Sequence, residues 1–451
     1  MDRGAPHEKR QSDIREESGM STLVTQRPAK RGRIPLGGVR ATPVAVLDVG
    51  TTKVSCFFAR PRPSRGFTLL GRGYQSAEGL KAGEVVDVAA AETSIAAALQ
   101  EAEEQAGEQI RDVVLVTGAG GPRSRFVRVR HPIDGGVVRQ RHIEAALVQA
   151  RAIGLEPGRE ALHCVALEAR VDEGRPMRDP RGSQGRELDL LVSVVTADSQ
   201  PLQSLLGCLE RSHVRVVEVV AAPYAAGLAC ASEEELERGC LVLDMGGGLT
   251  GIAHFADGRL VYLDRVPYGG EHVTSDVVWG LSTTRRFAER VKTLYGSVQP
   301  RASDDNARLE VPLVGEDLDQ PTGEVPRAKL TRIVRARVEE ILEMVEEKIR
   351  ANWEMFDRRP PRSVVITGGG SQIDGLEELV EEIFGVPARR GRPMLVHGRD
   401  GVENQPCCAA GCGGLLLATG DDEGLGWSDG RELPALSGWL ARFARWLEQN
   451  F

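Results

Sequence analysis

Two stretches about two hundred residues apart share one pattern, and few folds can hold both. Val44 to Lys53 reads Val-Ala-Val-Leu-Asp-Val-Gly-Thr-Thr-Lys, and Cys240 to Gly251 reads Cys-Leu-Val-Leu-Asp-Met-Gly-Gly-Gly-Leu-Thr-Gly. Each is a short apolar strand that ends in an acid, Asp48 or Asp244, and then turns sharply at glycine. Lacking a Cβ, Gly246, Gly247 and Gly248 let backbone N–H groups approach anionic oxygens that a side chain would hold off, and Gly50 with the hydroxyls of Thr51 and Thr52 offers a similar corner. Asp244, at its strand tip, is placed to orient the water shell of a Mg²⁺ that accompanies phosphates. One such turn alone is equally a capped glycine hairpin. Two, each opening its own domain, can clamp a phosphate chain from both sides.

A third strand and turn, Ser363-Val-Val-Ile-Thr-Gly-Gly-Gly370, runs into a helix opening. Two Asp-x-Gly turns followed by a Gly-Gly-Gly turn resemble the actin, sugar-kinase and heat-shock-chaperone superfamily. None of them matches the Walker loop or the dinucleotide fingerprint. The fold expected is α/β, an actin-like ATPase with two lobes, each built on a ribonuclease H-like core, with an inserted subdomain and a C-terminal amphipathic helix.

The 451 residues allow two to four domains, and the formal charge of -8 gives no support to nucleic acid as the main partner. Eight cysteines show no paired metal spacing; Cys407, Cys408 and Cys412 sit in a small-residue helix that reads as close packing rather than a metal site. No apolar run is long enough for a membrane span, and the polar N-terminus has no signal-peptide core, so a cytoplasmic protein is expected.

In chain order, 1–40 is a polar extension too poor in apolar residues to order itself. The first lobe is expected over 41–82, joined by 164–200 and 390–419, with Leu188 to Thr196 as a central strand. An inserted interaction subdomain is expected over 83–163; its Arg123, Arg125, Arg128 and Arg130 read as a solvated strand face, with an acidic partner as the alternative. The second lobe is expected over 201–267 and 328–389, with a small subdomain over 268–327. Lys53 is placed to neutralise a phosphate or to lie solvated at a strand edge. Glu289 and Lys292, three apart on a helix, read as a surface pair, with ribose or adenine as the other reading. The apolar stripe of the helix Ala328 to Asp357 reads as core or partner contact rather than chemistry.

A linker over 420–434 precedes a helix over 435–451. Leu436, Trp439, Leu440, Phe443, Trp446, Leu447 and Phe451 fall on one arc of about 140°, with Arg442 and Arg445 beside or opposite it. In a chain with 4% aromatics, this is a helix suited to lying in the headgroup layer of an anionic membrane.

Together these features resemble the FtsA family of actin-like cell-division proteins. The resemblance runs from Ala41 to Phe451 through Leu47-Asp-Val-Gly-Thr-Thr-Lys-Val, Leu243-Asp-Met-Gly-Gly-Gly, Val266-Pro-Tyr-Gly-Gly, Ala288-Glu-Arg-Val-Lys, Val365-Ile-Thr-Gly-Gly-Gly and Ser437-Gly-Trp-Leu. It implies ATP and Mg²⁺ as cofactors, with Asp48 and Asp244 holding the metal through water. Gly50, Thr51, Thr52, Lys53, Gly246, Gly247 and Gly248 would surround the phosphates. Glu289 and Lys292 would contact ribose and adenine, and Gly368, Gly369 and Gly370 would cover the adenosine. It further implies head-to-tail self-assembly, capture of the FtsZ C-terminal peptide on the small subdomain, recruitment of later division proteins through the inserted one, and a place on the cytoplasmic face of the membrane at the septum.

At one position the chain departs from the family. The usual Thr-x-Asp after the second glycine turn is Leu249-Thr250-Gly251 here, so a hydroxyl and a carboxylate are missing, and Thr250 is the hydroxyl left to replace the first. Losing the acid slows hydrolysis more than binding, so the expectation is an ATP-binding switch with weak or no turnover. A small-molecule kinase of the same superfamily is the rival reading, but it needs a carboxylate base facing a sugar pocket, and the chain offers no candidate.

Overall fold

A computed structural model describes residues 42–62, 66–312, 323–398 and 401–419. The expected extension (1–40), the linker (420–434) and the closing helix with its seven apolar anchors lie outside the described residues.

The first sheet grows from the first glycine turn. Strand β1 (Val44–Val49) is buried from Ala45 onward, and Gly50 reverses it into β2 (Lys53–Pro61), which pairs antiparallel so that Asp48 lies opposite Ser55. Antiparallel β3 (Phe67–Ser76) follows, and α1 (Val88–Ala106), started by the Asp87 side chain on the Ala90 amide, lies across it. That helix sits close because β3 offers glycine: a Cβ on Gly73 would fall 1.7 Å from the Ala98 carbonyl oxygen. Strand β4 (Asp112–Thr117) then pairs parallel to β1.

The chain next leaves this sheet. β5 (Arg123–Pro132), α2 (Gln140–Gly154), β6 (Arg159–Val171) and β7 (Glu187–Asp198) build a separate three-stranded sheet, in the order β5-β7-β6, with the helix on one face. It returns through α3 (Ser199–Arg211) to β8 (Arg215–Ala221), parallel to β4. The first sheet is therefore ordered β3-β2-β1-β4-β8, with Val396–His397 added beside β3.

After α4 (Ala222–Cys230) the same topology is built again. β9 (Cys240–Met245), β10 (Thr250–Ala256) and β11 (Arg259–Val266) form an antiparallel meander, and β12 (Ser363–Thr367) and β13 (Ala388–Arg390) add in parallel, giving β11-β10-β9-β12-β13. Asp244 pairs with Gly251 as Asp48 does with Ser55. Between β11 and β12 lie α5 (Gly270–Leu281), α6 (Arg285–Tyr295), the hairpin Arg308–Val311 with Gly323–Pro326, and α7 (Arg327–Ala351). The stripe Leu330, Val334, Val338, Ile341, Leu342 and Val345 of α7 is fully buried. The helix stops at Ala351 rather than Asp357, because the Asn352 side chain turns back to donate to the Lys348 carbonyl, and a separate turn covers Trp353–Arg358. The closing helix α8 (Ala409–Thr419) lies against α4; a Cβ on Gly413 would meet the Ala225 carbonyl oxygen at 1.7 Å.

These pairings correct three expected placements. α1 and β4, expected in the inserted subdomain, belong to the first sheet. β6 and β7, expected to return to the first lobe, stay with β5 and α2. β8, expected in the second lobe, closes the first sheet. The strand over Leu188 to Thr196 is apolar on both faces for a reason other than a central place in that lobe. Leu188, Leu190, Val192 and Val194 face the α2 core, whereas Leu191 and Val195 join the large core shared with the second lobe.

Candidate functional site

The glycine turns of the two lobes meet. A Cβ on Gly247 would fall 2.3 Å from Thr52 Cγ2, and one on Gly248 would fall 2.6 Å from Thr51 Oγ1, so only glycine permits this approach. Gly50 donates its amide to the Lys53 carbonyl at 3.0 Å and Gly246 donates to Leu249 at 3.0 Å; these two amides hold the turns in shape. The amides of Thr51, Thr52, Gly247 and Gly248 find no acceptor among the described residues. Backbone donors left open at two facing corners suit an anion with several oxygens.

Beneath the turns lie the acids. Asp48 is 6% exposed, and burial raises its carboxyl above the ordinary range, partly offset by the Lys53 ammonium 3.8 Å away. Asp244 is pushed up to about 7, first by burial and then by the negative charge of Asp48. A buried Asp48 and a half-buried Asp244 whose proton affinity it raises fit a hydrated dication, whose charge would reverse that effect. Ser55 adds a second sign, since its fully buried hydroxyl, opposite Asp48 in the ladder, has no partner among the described residues. Sequence reading passed over Ser55; its signal was the register of the hairpin that follows the first turn.

The third turn closes on the same point. Gly368 has φ +81°, and a Cβ there would lie 2.6 Å from Asp244 Oδ1 and from the Met245 carbonyl oxygen. Beside it a Cβ on Gly370 would sit 3.0 Å from that carbonyl, while Gly369 faces open space. Lys53 donates to the Cys407 carbonyl, which fixes the ammonium beside Asp48 rather than at a solvated edge.

Glu289 and Lys292 do pair, at 2.8 Å, and the pair is tied to the second glycine turn. Lys292 Nζ also donates to Thr274 Oγ1 at 2.8 Å and to the Gly270 carbonyl at 3.1 Å, at the first turn of α5. That first turn is itself bonded to the glycine corner: the Gly270 and Glu271 amides donate to the carbonyls of Gly246 and Gly247. Neither Thr274 nor Gly270 was assigned a role from sequence, although Gly270 closes the Val266-Pro-Tyr-Gly-Gly stretch.

Thr250 does not replace the missing hydroxyl. It is fully buried, and its Oγ1 donates to the Tyr268 carbonyl at 2.8 Å. Gly251, where the family pattern has an acid, is held small by a neighbour: a Cβ there would fall 2.2 Å from Pro223 Cγ. The four arginines of β5 are paired with Glu156, Glu168, Asp189 and Glu187 of the same subdomain.

The comparisons with known proteins agree with this architecture. Residues 241–413 match the family model described as "Cell division protein FtsA", and residues 120–196, which span β5 to β7, match the "SHS2 domain inserted in FTSA". A cell division protein FtsA of Rhizobium meliloti is 35% identical over 430 residues, covering 92% of this chain and 97% of that protein. Its counterpart in Escherichia coli is 26% identical, covering 90% and 98%. Among solved structures, the "PilM-PilN type IV pilus biogenesis complex" superposes with a TM-score of 0.58 at 19% identity, covering 83% of this chain and 98% of that one. MreB5 of Spiroplasma citri bound to ADP gives 0.51 at 13%, covering 84% and 97%. These last two bear on the fold alone, which is the actin-like one. With paired sheets, facing turns and an inserted subdomain all in place, the chain belongs to the FtsA family of cell division proteins.

Proposed function

We propose that this cell division protein is an ATP-binding switch that assembles head to tail on the cytoplasmic face of the membrane, tethers the FtsZ ring there and recruits later division proteins. The observation that supports nucleotide binding most directly is the set of four open amides, at Thr51, Thr52, Gly247 and Gly248, above Asp48 and Asp244. In this reading the amides and Lys53 bind the phosphates, the two carboxylates with Ser55 orient the water shell of Mg²⁺, and Gly368 to Gly370 line the adenosine side. The metal, when bound, supplies charge neutralisation. Glu289 and Lys292 contact the nucleoside from α6.

Gly251 supplies no carboxylate and the buried Thr250 no free hydroxyl at positions 250 and 251, which supports slow hydrolysis. The small subdomain, with Trp279 of α5 85% exposed, suits an apolar peptide anchor and is the proposed seat of the FtsZ peptide. The pattern Leu436, Trp439, Leu440, Phe443, Trp446, Leu447 and Phe451 supports attachment to an anionic membrane. Titration of the purified protein with a fluorescent ATP analogue, with and without magnesium, tests the central claim. Saturable, magnesium-strengthened binding is expected; no binding with magnesium present overturns it.

A further inference from the structure

Away from the glycine turns, a cleft of about 520 Å³ opens where β6 of the inserted subdomain meets the second lobe. Its floor is the loop Arg358-Arg359-Pro360-Pro361-Arg362, and this loop is held firmly. The Arg362 amide donates to the Gly239 carbonyl at 2.8 Å, the Arg359 carbonyl lies 2.7 Å from His254 Nε2, and the two prolines fix their own φ. Gly239, with φ +109°, has room for no more, since a Cβ would fall 2.9 Å from the Pro360 carbonyl oxygen.

The charges of the cleft do not balance. Arg359 is taken by Asp257 at 3.2 Å, Arg170 by Glu168 at 2.8 Å and Arg238 by Glu234 at 2.7 Å. Arg358 and Arg362, both exposed on the cleft wall, have no carboxylate partner among the described residues. Guanidiniums are also crowded nearby: burial and then Arg178 lower the proton affinity of Arg259 to about 10, with Arg359 adding to the effect. In a chain of net charge -8, a rigid loop that presents two unpaired guanidiniums is a preorganised carboxylate site. Its concave form and its own acids disfavour a flat or uniformly anionic surface such as a membrane.

The chain itself carries a matching segment. Gly420 to Pro434 holds five acids, Asp421, Asp422, Glu423, Asp429 and Glu432, against Arg431 alone. It follows directly on α8, and its fifteen residues extend to about 50 Å at roughly 3.3 Å each, the scale of a lobe. Tethering gives it an effective concentration of order millimolar at sites within reach, which a free acidic peptide rarely attains. We propose that the cleft at Arg358 and Arg362 holds the acidic segment between Gly420 and Pro434 of the same chain, shortening the tether between the lobes and the C-terminal helix. This does not depend on the nucleotide reading.

Carbodiimide coupling in the full-length R362K variant tests it, because a carboxylate docked on that position becomes an isopeptide that peptide mass spectrometry can map. The reaction is run on a mixture of ¹⁵N-labelled and unlabelled protein. The expected product joins position 362 to Asp421, Asp422 or Glu423 within one isotopic species, with yield falling at least fivefold between 50 and 500 mM NaCl. Adding R358E removes it. In R358E/R362E carrying D421K and D422K, coupling returns with the roles of acid and amine exchanged. Links between labelled and unlabelled chains, links only to the cleft's own acids, or no link at all would overturn the proposal.

Discussion

At the residue scale, the two acids decide how the site responds to pH. Asp244 holds a proton up to about pH 7 in the folded chain but ionises near 3.8 when unfolded, so the folded form binds more protons in between. Stability of the nucleotide-free protein should fall as pH rises from about 4 to about 7, a trend visible in urea midpoints. In the proposed site, magnesium and nucleotide would compete with that same proton. Affinity for Mg-ATP should rise toward tenfold per pH unit below 7 and level off above it, as measured by calorimetry. Replacing Asp244 by Asn should weaken Mg-ATP binding at pH 8 by at least tenfold, about 1.4 kcal/mol, while leaving the ligand-free protein as stable or more so, because a half-buried charge is removed. Gly251→Asp should destabilise through its clash with Pro223, by about 1–3 kcal/mol. Paired with Pro223→Ala it should be tolerated, and steady-state phosphate release should then exceed that of the parent. Turnover unchanged in the double variant would mean the missing acid is not what limits hydrolysis. Gly251 itself was readable as a departure from a pattern. Pro223 was not, since nothing along the chain indicates that residues 28 apart touch.

At the element scale, the crossing of α4 and α8 is as close as that of α1 on β3. Both are built of small residues, and Gly413 rides on the Ala225 carbonyl, so Gly413→Ala must push the helices apart. A loss of about 1–3 kcal/mol is expected from chemical denaturation; a loss below 0.5 kcal/mol would show that the pair has slack. The helical periodicity of α7 was plain in the sequence because a 3.6-residue repeat of apolar residues is a local signal. Strand membership was not. β4 and β7 are apolar runs of similar kind, and composition alone does not say that one pairs with β1 while the other is apolar because it serves two cores.

For the whole molecule, the proposed attachment predicts that liposome sedimentation of the full chain on anionic vesicles is lost when Leu436 to Phe451 are removed, with Mg-ATP affinity within twofold of the parent. Loss of both together would indicate a misfolded truncation, and retained binding would place the lipid contact elsewhere. The sequence by itself determined the strand–acid–glycine turns, hence Asp48, Asp244 and the glycine corners proposed to hold phosphates, because each is a local combination of backbone freedom and charge within ten residues. Tertiary structure alone decided that the three turns converge, that Ser55 completes the first acid's surroundings, that Thr250 is spent on a carbonyl, and that Arg358 and Arg362 face a cleft with no carboxylate partner among the described residues. Those outcomes follow from which distant strands pair and how closely two helices can approach, and that is settled by packing across hundreds of residues rather than by any one segment.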